Sequence, residues 1–260
     1  MSGTRTTVGV TALVVLLAGC GSSGRSPSVA RPPDDRLQGT LTVLAASSLT
    51  ESFGDIATAF ESGHKDVDVV ITFEGSSRLA AAIVEGAPAD LFASADEVTL
   101  QRVAEAGLTN GPRRRFATNI LQIVVPSGNP LGIASLADLT GTGLSLALCA
   151  AAVPCGRYAA AAFDRAGLAV PAAGDQGNVR GVLTQVQLGE ADAGIVYRTD
   201  VLAADGVEGI ALPFEQQVQA TYLAAVLAGA SNPDAAVAFA DFLTGAEAQR
   251  ILERAGFGLP

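Results

Sequence analysis

The stretch LTVLAASSLTESFGDIATAF, residues 41–60, changes its period in the middle. Leu41-Thr42-Val43-Leu44 is a short strand-like run, after which Leu49, Phe53, Ile56, Ala57 and Phe60 recur at helical spacing. Ser48 and Glu51 stand three residues apart, the spacing of a capping box in which the Ser oxygen accepts from a first-turn amide. A strand is thus expected to end where a helix begins. The same unit follows at once. Val67, Val69, Ile71 and Phe73 alternate, Gly75-Ser76-Ser77 make a turn, and Leu79, Ala80, Ile83 and Val84 take helical positions.

Working outward, Ala89-Asp90-Leu91-Phe92-Ala93 reads as a buried strand, followed by a helix over 96–106 that Gly107 stops. Further strands are expected at 120–125, 144–148, 193–197 and 222–227, and further helices at 157–166, from Val179 onward, at 233–243 and at 246–255. Strands alternating with helices predict an α/β fold with parallel-rich sheets flanked by helices. Such sheets bind ligands at the carboxyl ends of their strands, where helix N-termini also point.

The chain has 260 residues, 49% of them apolar, enough for a sizeable core and for two lobes. Its formal charge of −10 argues against nucleic acid as a partner, since that affinity comes from Lys and Arg on phosphates. The same charge repels free anions at long range. An anion site here has to work through local, pre-aimed dipoles.

Residues 1–19 read as a signal peptide, with Arg5 near the amine and an apolar run over 8–18 too short to span a membrane. Leu17-Ala18-Gly19-Cys20 resembles the lipobox of bacterial lipoproteins, which implies lipidation at Cys20 and an anchor on the outer face of the cell membrane. Residues 20–39 then form the lipidated cysteine and a flexible Gly-, Ser- and Pro-containing tether. Cys149 and Cys155 remain as a pair in a compartment that permits disulfides; the alternative is two small buried thiols.

Each helix start offers unpaired amides and about half a positive charge, so several starts aimed at one point make an anion cage without ionised side chains. Candidate starts lie at Ser48, Ser76, Cys155 and Val179. Taken singly, either serine reads as an ordinary N-cap. A hydrolase would need a base beside its nucleophile, yet the chain has one histidine, His64, in a polar stretch, and no Gly-x-Ser-x-Gly elbow. An enzyme is not expected, nor any cofactor.

Several motifs in order resemble the molybdate-binding proteins of bacterial importers, within the two-lobed type II periplasmic binding proteins. They are Ala45-Ala46-Ser47-Ser48-Leu49-Thr50, Gly75-Ser76-Ser77-Arg78-Leu79-Ala80, residues 86–96, Val153-Pro154-Cys155-Gly156-Arg157-Tyr158-Ala159, Asn178-Val179-Arg180-Gly181 and Gly194-Ile195-Val196-Tyr197. The resemblance runs from about Leu41 to Gly258. It implies oxyanion contacts from the hydroxyls and amides of Ser48 and Ser76, the amides of Cys155 and Val179, and the phenol of Tyr197. Cys155 departs from the small apolar residue usual at its position, and a bond to Cys149 would hold its amide in place.

The resemblance also implies lobe 1 from 40–117 plus 221–260 and lobe 2 from 118–220, with the ligand cleft between them and crossings near 116–119 and 219–222. Molybdate or tungstate is the implied ligand, sulfate the alternative. A membrane permease and an ATPase are the implied partners of a monomer. Arg78, Arg157 and Arg180 flank the proposed contacts but are expected to face solvent or pair with carboxylates.

Overall fold

A computed structural model describes residues 3–4, 37–171 and 174–260. The signal peptide, Cys20 and the tether fall almost wholly outside the described residues. Strands β1 (Gly39–Ala46), β2 (Val67–Glu74) and β3 (Leu91–Ser94) pair in parallel, with β1 between the other two. The connections are α1 (Thr50–Gly63), reached through a 3-10 turn at Ser47–Leu49, and α2 (Ser76–Val84). These are the two repeated units of the sequence. Their helices bury Phe53, Ile56 and Phe60 in one case and Leu79, Ala80 and Ile83 in the other, the positions picked out by helical period.

After α3 (Glu97–Glu105) comes β4 (Thr109–Pro126), 18 residues long, which pairs antiparallel with β8 (Gln219–Leu227). β8 also pairs antiparallel with β3. The far end of β4 pairs antiparallel with β6 (Ala193–Tyr197) and β7 (Val207–Ala211), and β5 (Leu146–Ala147) lies parallel to β6. The strand path is β2-β1-β3-β8-β4-β6-β5, with β7 on β4. The sheet is therefore mixed: the expected parallel pairing holds where helices connect the strands and gives way to antiparallel pairing at β4 and β8. Segments 116–119 and 219–222, expected as crossings, run side by side, with Ala117 opposite Tyr222 and Asn119 opposite Ala220.

The rest of the chain supplies α4 (Pro154–Arg165), α5 (Val179–Gln187), the short α6 (Arg198–Leu202), α7 (Pro233–Phe242) and α8 (Ala246–Arg254). α4 begins three residues before the expected start because Pro154 serves as its first residue, where a missing N–H does no harm. Aromatic rings run through the core from Phe60 and Phe239 through Phe53, Phe116 and Tyr222 to Tyr197, each ring 5.1–6.2 Å from the next. Among the described residues no helix is long and apolar enough to cross a membrane.

Candidate functional site

The chain ends of β1, β2 and β6 and the starts of α2, α4 and α5 converge on one small cavity. Ser48, Ser76, Cys155, Val179 and Tyr197, separated by up to 149 residues in sequence, all line it, together with Ser47, Gly75, Ala95, Val153 and Asn178. All five expected site residues are almost fully buried. The cavity measures about 20 Å³, a little more than the roughly 10–15 Å³ that a water-sized body needs. That is the scale of a compact ion.

Neither α2 nor α4 has a side-chain cap, so no side chain competes for their first-turn amides. α5 differs: Asn178 Oδ1 accepts from the Gly181 amide at 3.1 Å. Ser76 Oγ accepts from the Ala95 amide at 3.0 Å, which leaves its own proton to be donated elsewhere. Ser48 Oγ lies 2.8 Å from the Tyr222 hydroxyl. This corrects the capping-box expectation. Ser48 sits in the 3-10 turn, α1 has Leu49 as its N-cap with no side-chain bond, and Glu51 pairs with Arg180 instead. A buried tertiary partner outcompetes the local cap.

Tyr197 ends β6 with a ring 1% exposed, and its hydroxyl has no hydrogen-bond partner among the described residues. Burial, reinforced by the neighbouring Tyr222, pushes the Tyr197 phenol well above its ordinary pKa, so it is a donor at any physiological pH. An unpartnered buried hydroxyl is costly, about 1–3 kcal/mol, and its position in the cavity wall is where a ligand would relieve it.

The turns are held by close packing. Cys149 and Cys155 are joined by a disulfide, Cα–Cα 5.7 Å, which ties the first turn of α4 to the strand-end segment before it. A Cβ on Gly156 would meet Ala150 O at 2.0 Å, and one on Gly75 would meet Gly177 O at 2.3 Å. The turn before α2 therefore touches the turn before α5 directly, backbone to backbone.

The three arginines near the cavity are not in its lining. Arg78 pairs with Glu74 at 3.0 Å. Arg157 binds Asp96 and, at 2.8 Å, Thr99 Oγ1. Arg180 binds Glu51 and lies 3.4 Å from Asp200 Oδ1. Asp200 is fully buried, and burial raises its carboxyl to about 7 against the opposing pull of Arg180 and of the Tyr197 amide. A larger hollow of about 320 Å³ beside α1 and α8 shares Ser48 but is lined by Glu51, Asp55 and Arg254 and by none of the other four expected site residues. Among the described residues no His, Cys, Asp and Glu cluster could hold a metal ion.

Sequence reasoning did not reach Tyr222 or Asn119, whose amide donates to Thr199 Oγ1 at 2.9 Å and lies 3.5 Å from the Tyr222 hydroxyl. Both sit inside strands, and strand periodicity marks them only as interior residues.

An α/β chain with helices on both faces of its sheet and a buried, donor-lined cavity at converging strand ends has the design of a solute receptor. The chain belongs to the bacterial extracellular solute-binding proteins, whose family description matches residues 41–258. The molybdate-binding protein ModA of Mycobacterium tuberculosis is 39% identical over 249 residues, 95% of each chain. The substrate binding domain of a putative molybdenum ABC transporter from Clostridium difficile superposes with a TM-score of 0.64 at 26% identity, covering 85% of this chain and 99% of that one. The sulfate-binding protein SubI of Mycobacterium tuberculosis shares the fold, with a TM-score of 0.75 at 20% identity over 85% and 86% of the two chains.

Proposed function

We propose that this protein captures molybdate, and tungstate with it, for an ABC-type importer, holding the anion in the cavity through Ser48, Ser76, Cys155, Val179 and Tyr197. The observation that carries the reading is the Tyr197 hydroxyl, buried at the cavity wall without a partner. The serine hydroxyls and the amides of Ser48, Ser76, Cys155 and Val179 complete a set of donors with no cationic side chain. Hydrogen bonds from neutral donors to an ionised acceptor are roughly twice as strong as neutral pairs, so such a cage can hold a dianion despite the net charge of −10. Molybdate and tungstate, fully deprotonated near neutral pH, match a donor-only site. Sulfate does too, and the choice of molybdate rests on the relatives.

On this reading residues 40–117 plus 221–260 and residues 118–220 are two lobes that close on the anion, with 116–119 and 219–222 as the links. A permease and an ATPase in the membrane would receive the closed form. Export and a lipid anchor at Cys20 would keep the receptor on the outer face of the membrane. Calorimetric titration with molybdate tests the site: one anion per chain is expected, with binding weakened at least about tenfold by Ser76→Ala, the loss of one charge-assisted bond. Unchanged affinity in Ser76→Ala and Tyr197→Phe together would remove the proposed cage.

A further inference from the structure

We propose that Tyr222 and Asn119 are positioning residues that force the Ser48 hydroxyl to donate into the cavity, and thereby make the site reject anions that carry a proton. This rests on the oxyanion reading above. The Ile120 amide donates to Asn119 Oδ1 at 2.9 Å, which sets the orientation of that side-chain amide. Asn119 Nδ2 therefore faces Thr199 Oγ1 at 2.9 Å and the Tyr222 hydroxyl at 3.5 Å, and an amide nitrogen can only donate. The Tyr222 hydroxyl oxygen thus accepts a hydrogen bond from Asn119 on one side and keeps its own O–H to donate.

The acceptor within reach of it is Ser48 Oγ, at 2.8 Å. With one lone pair of Ser48 occupied by Tyr222, the serine keeps its own proton to donate into the small cavity, one of the two hollows that Ser48 lines. Tyr222 is 0% and Asn119 2% exposed, so water does not compete for these bonds. Ser76 is governed the same way by the Ala95 amide. Burial also keeps the Tyr222 phenol protonated, against the smaller effects of Ser48 and Asn119.

Without the phenolic proton, Ser48 could turn and offer a lone pair, which is what a protonated anion needs. The test uses the full chain as wild type, Tyr222→Phe and Asn119→Asp, titrated with molybdate, tungstate and inorganic phosphate between pH 6 and 8, with thermal unfolding of each ligand-free protein as a check on folding. In Tyr222→Phe molybdate and tungstate should weaken together by about threefold to tenfold while phosphate strengthens, so that the molybdate-to-phosphate preference falls at least about tenfold. Asn119→Asp replaces the donor with an acceptor, draws the Tyr222 proton away from Ser48, and should lose more molybdate affinity than Tyr222→Phe. It also serves if Tyr222→Phe does not fold.

Equal weakening of all three anions, or a preference within about twofold of wild type, would mean that Tyr222 only packs, and would overturn the proposal. If wild type binds molybdate and only the variants fail to change selectivity, the oxyanion reading stands and this one falls. If wild type binds none of the three anions, both fall.

Discussion

Tyr197 is the residue whose position is hardest to explain without a ligand. Removing its hydroxyl takes away an unsatisfied buried group, so Tyr197→Phe should leave the ligand-free melting temperature unchanged or slightly raised while lowering molybdate affinity by about tenfold. Thermal unfolding with and without the anion reads both signs at once. A structural tyrosine would give the opposite pattern, a lower melting temperature and unchanged binding. Asp200 makes a second prediction. Its folded pKa, about 7, lies above the ordinary carboxylate value, so the stability it contributes is present at low pH and fades as pH rises through 7. Asp200→Asn should therefore be more stable than wild type at pH 8, by roughly 1–3 kcal/mol, with the gain shrinking toward pH 5. Arg180 keeps Glu51 as a partner in that variant. Equal effects at both pH values would contradict the assignment.

Among the elements, the turns before α2, α4 and α5 matter more than the helices they start. Gly75→Ala would push the α2 turn against Gly177 O, 2.3 Å from the new Cβ, and such overpacking costs about 1–3 kcal/mol. Because the contact joins the two turns at the cavity, the expected result is weakened molybdate binding in calorimetric titration together with a lower melting temperature of the ligand-free protein. Reducing the Cys149–Cys155 disulfide should lower stability by about 2 kcal/mol, the value for so short a loop, and loosen the amide of Cys155. Denaturant unfolding with and without reductant measures it. The strand-turn-helix units at β1 and β2 were legible in the sequence because period 2 turning into period 3.6 is a local signal. The strand expected at 144–148 is present as the two-residue β5, but the length of β4 and the existence of β7 were not legible, since their extent is set by the strands beside them.

At the scale of the molecule, an acidic chain that binds an anion has to rely on geometry rather than on its overall field. The arginines nearest the cavity are paired with Glu74, Asp96, Glu51 and Asp200, so their charge is neutralised locally. Convergence of the five expected residues on one cavity was legible only through the order of several motifs, for each serine alone carried the signature of a common helix cap. Tyr222 and Asn119 left no such mark, because their role depends on pairing between β4 and β8 across more than a hundred residues. The most direct test is thermal unfolding of the purified chain with molybdate, tungstate, sulfate and phosphate in turn. Molybdate and tungstate at a hundred times their Kd should each stabilise by about 2.7 kcal/mol while phosphate does nothing. Stabilisation by sulfate or phosphate with none from molybdate would contradict the account.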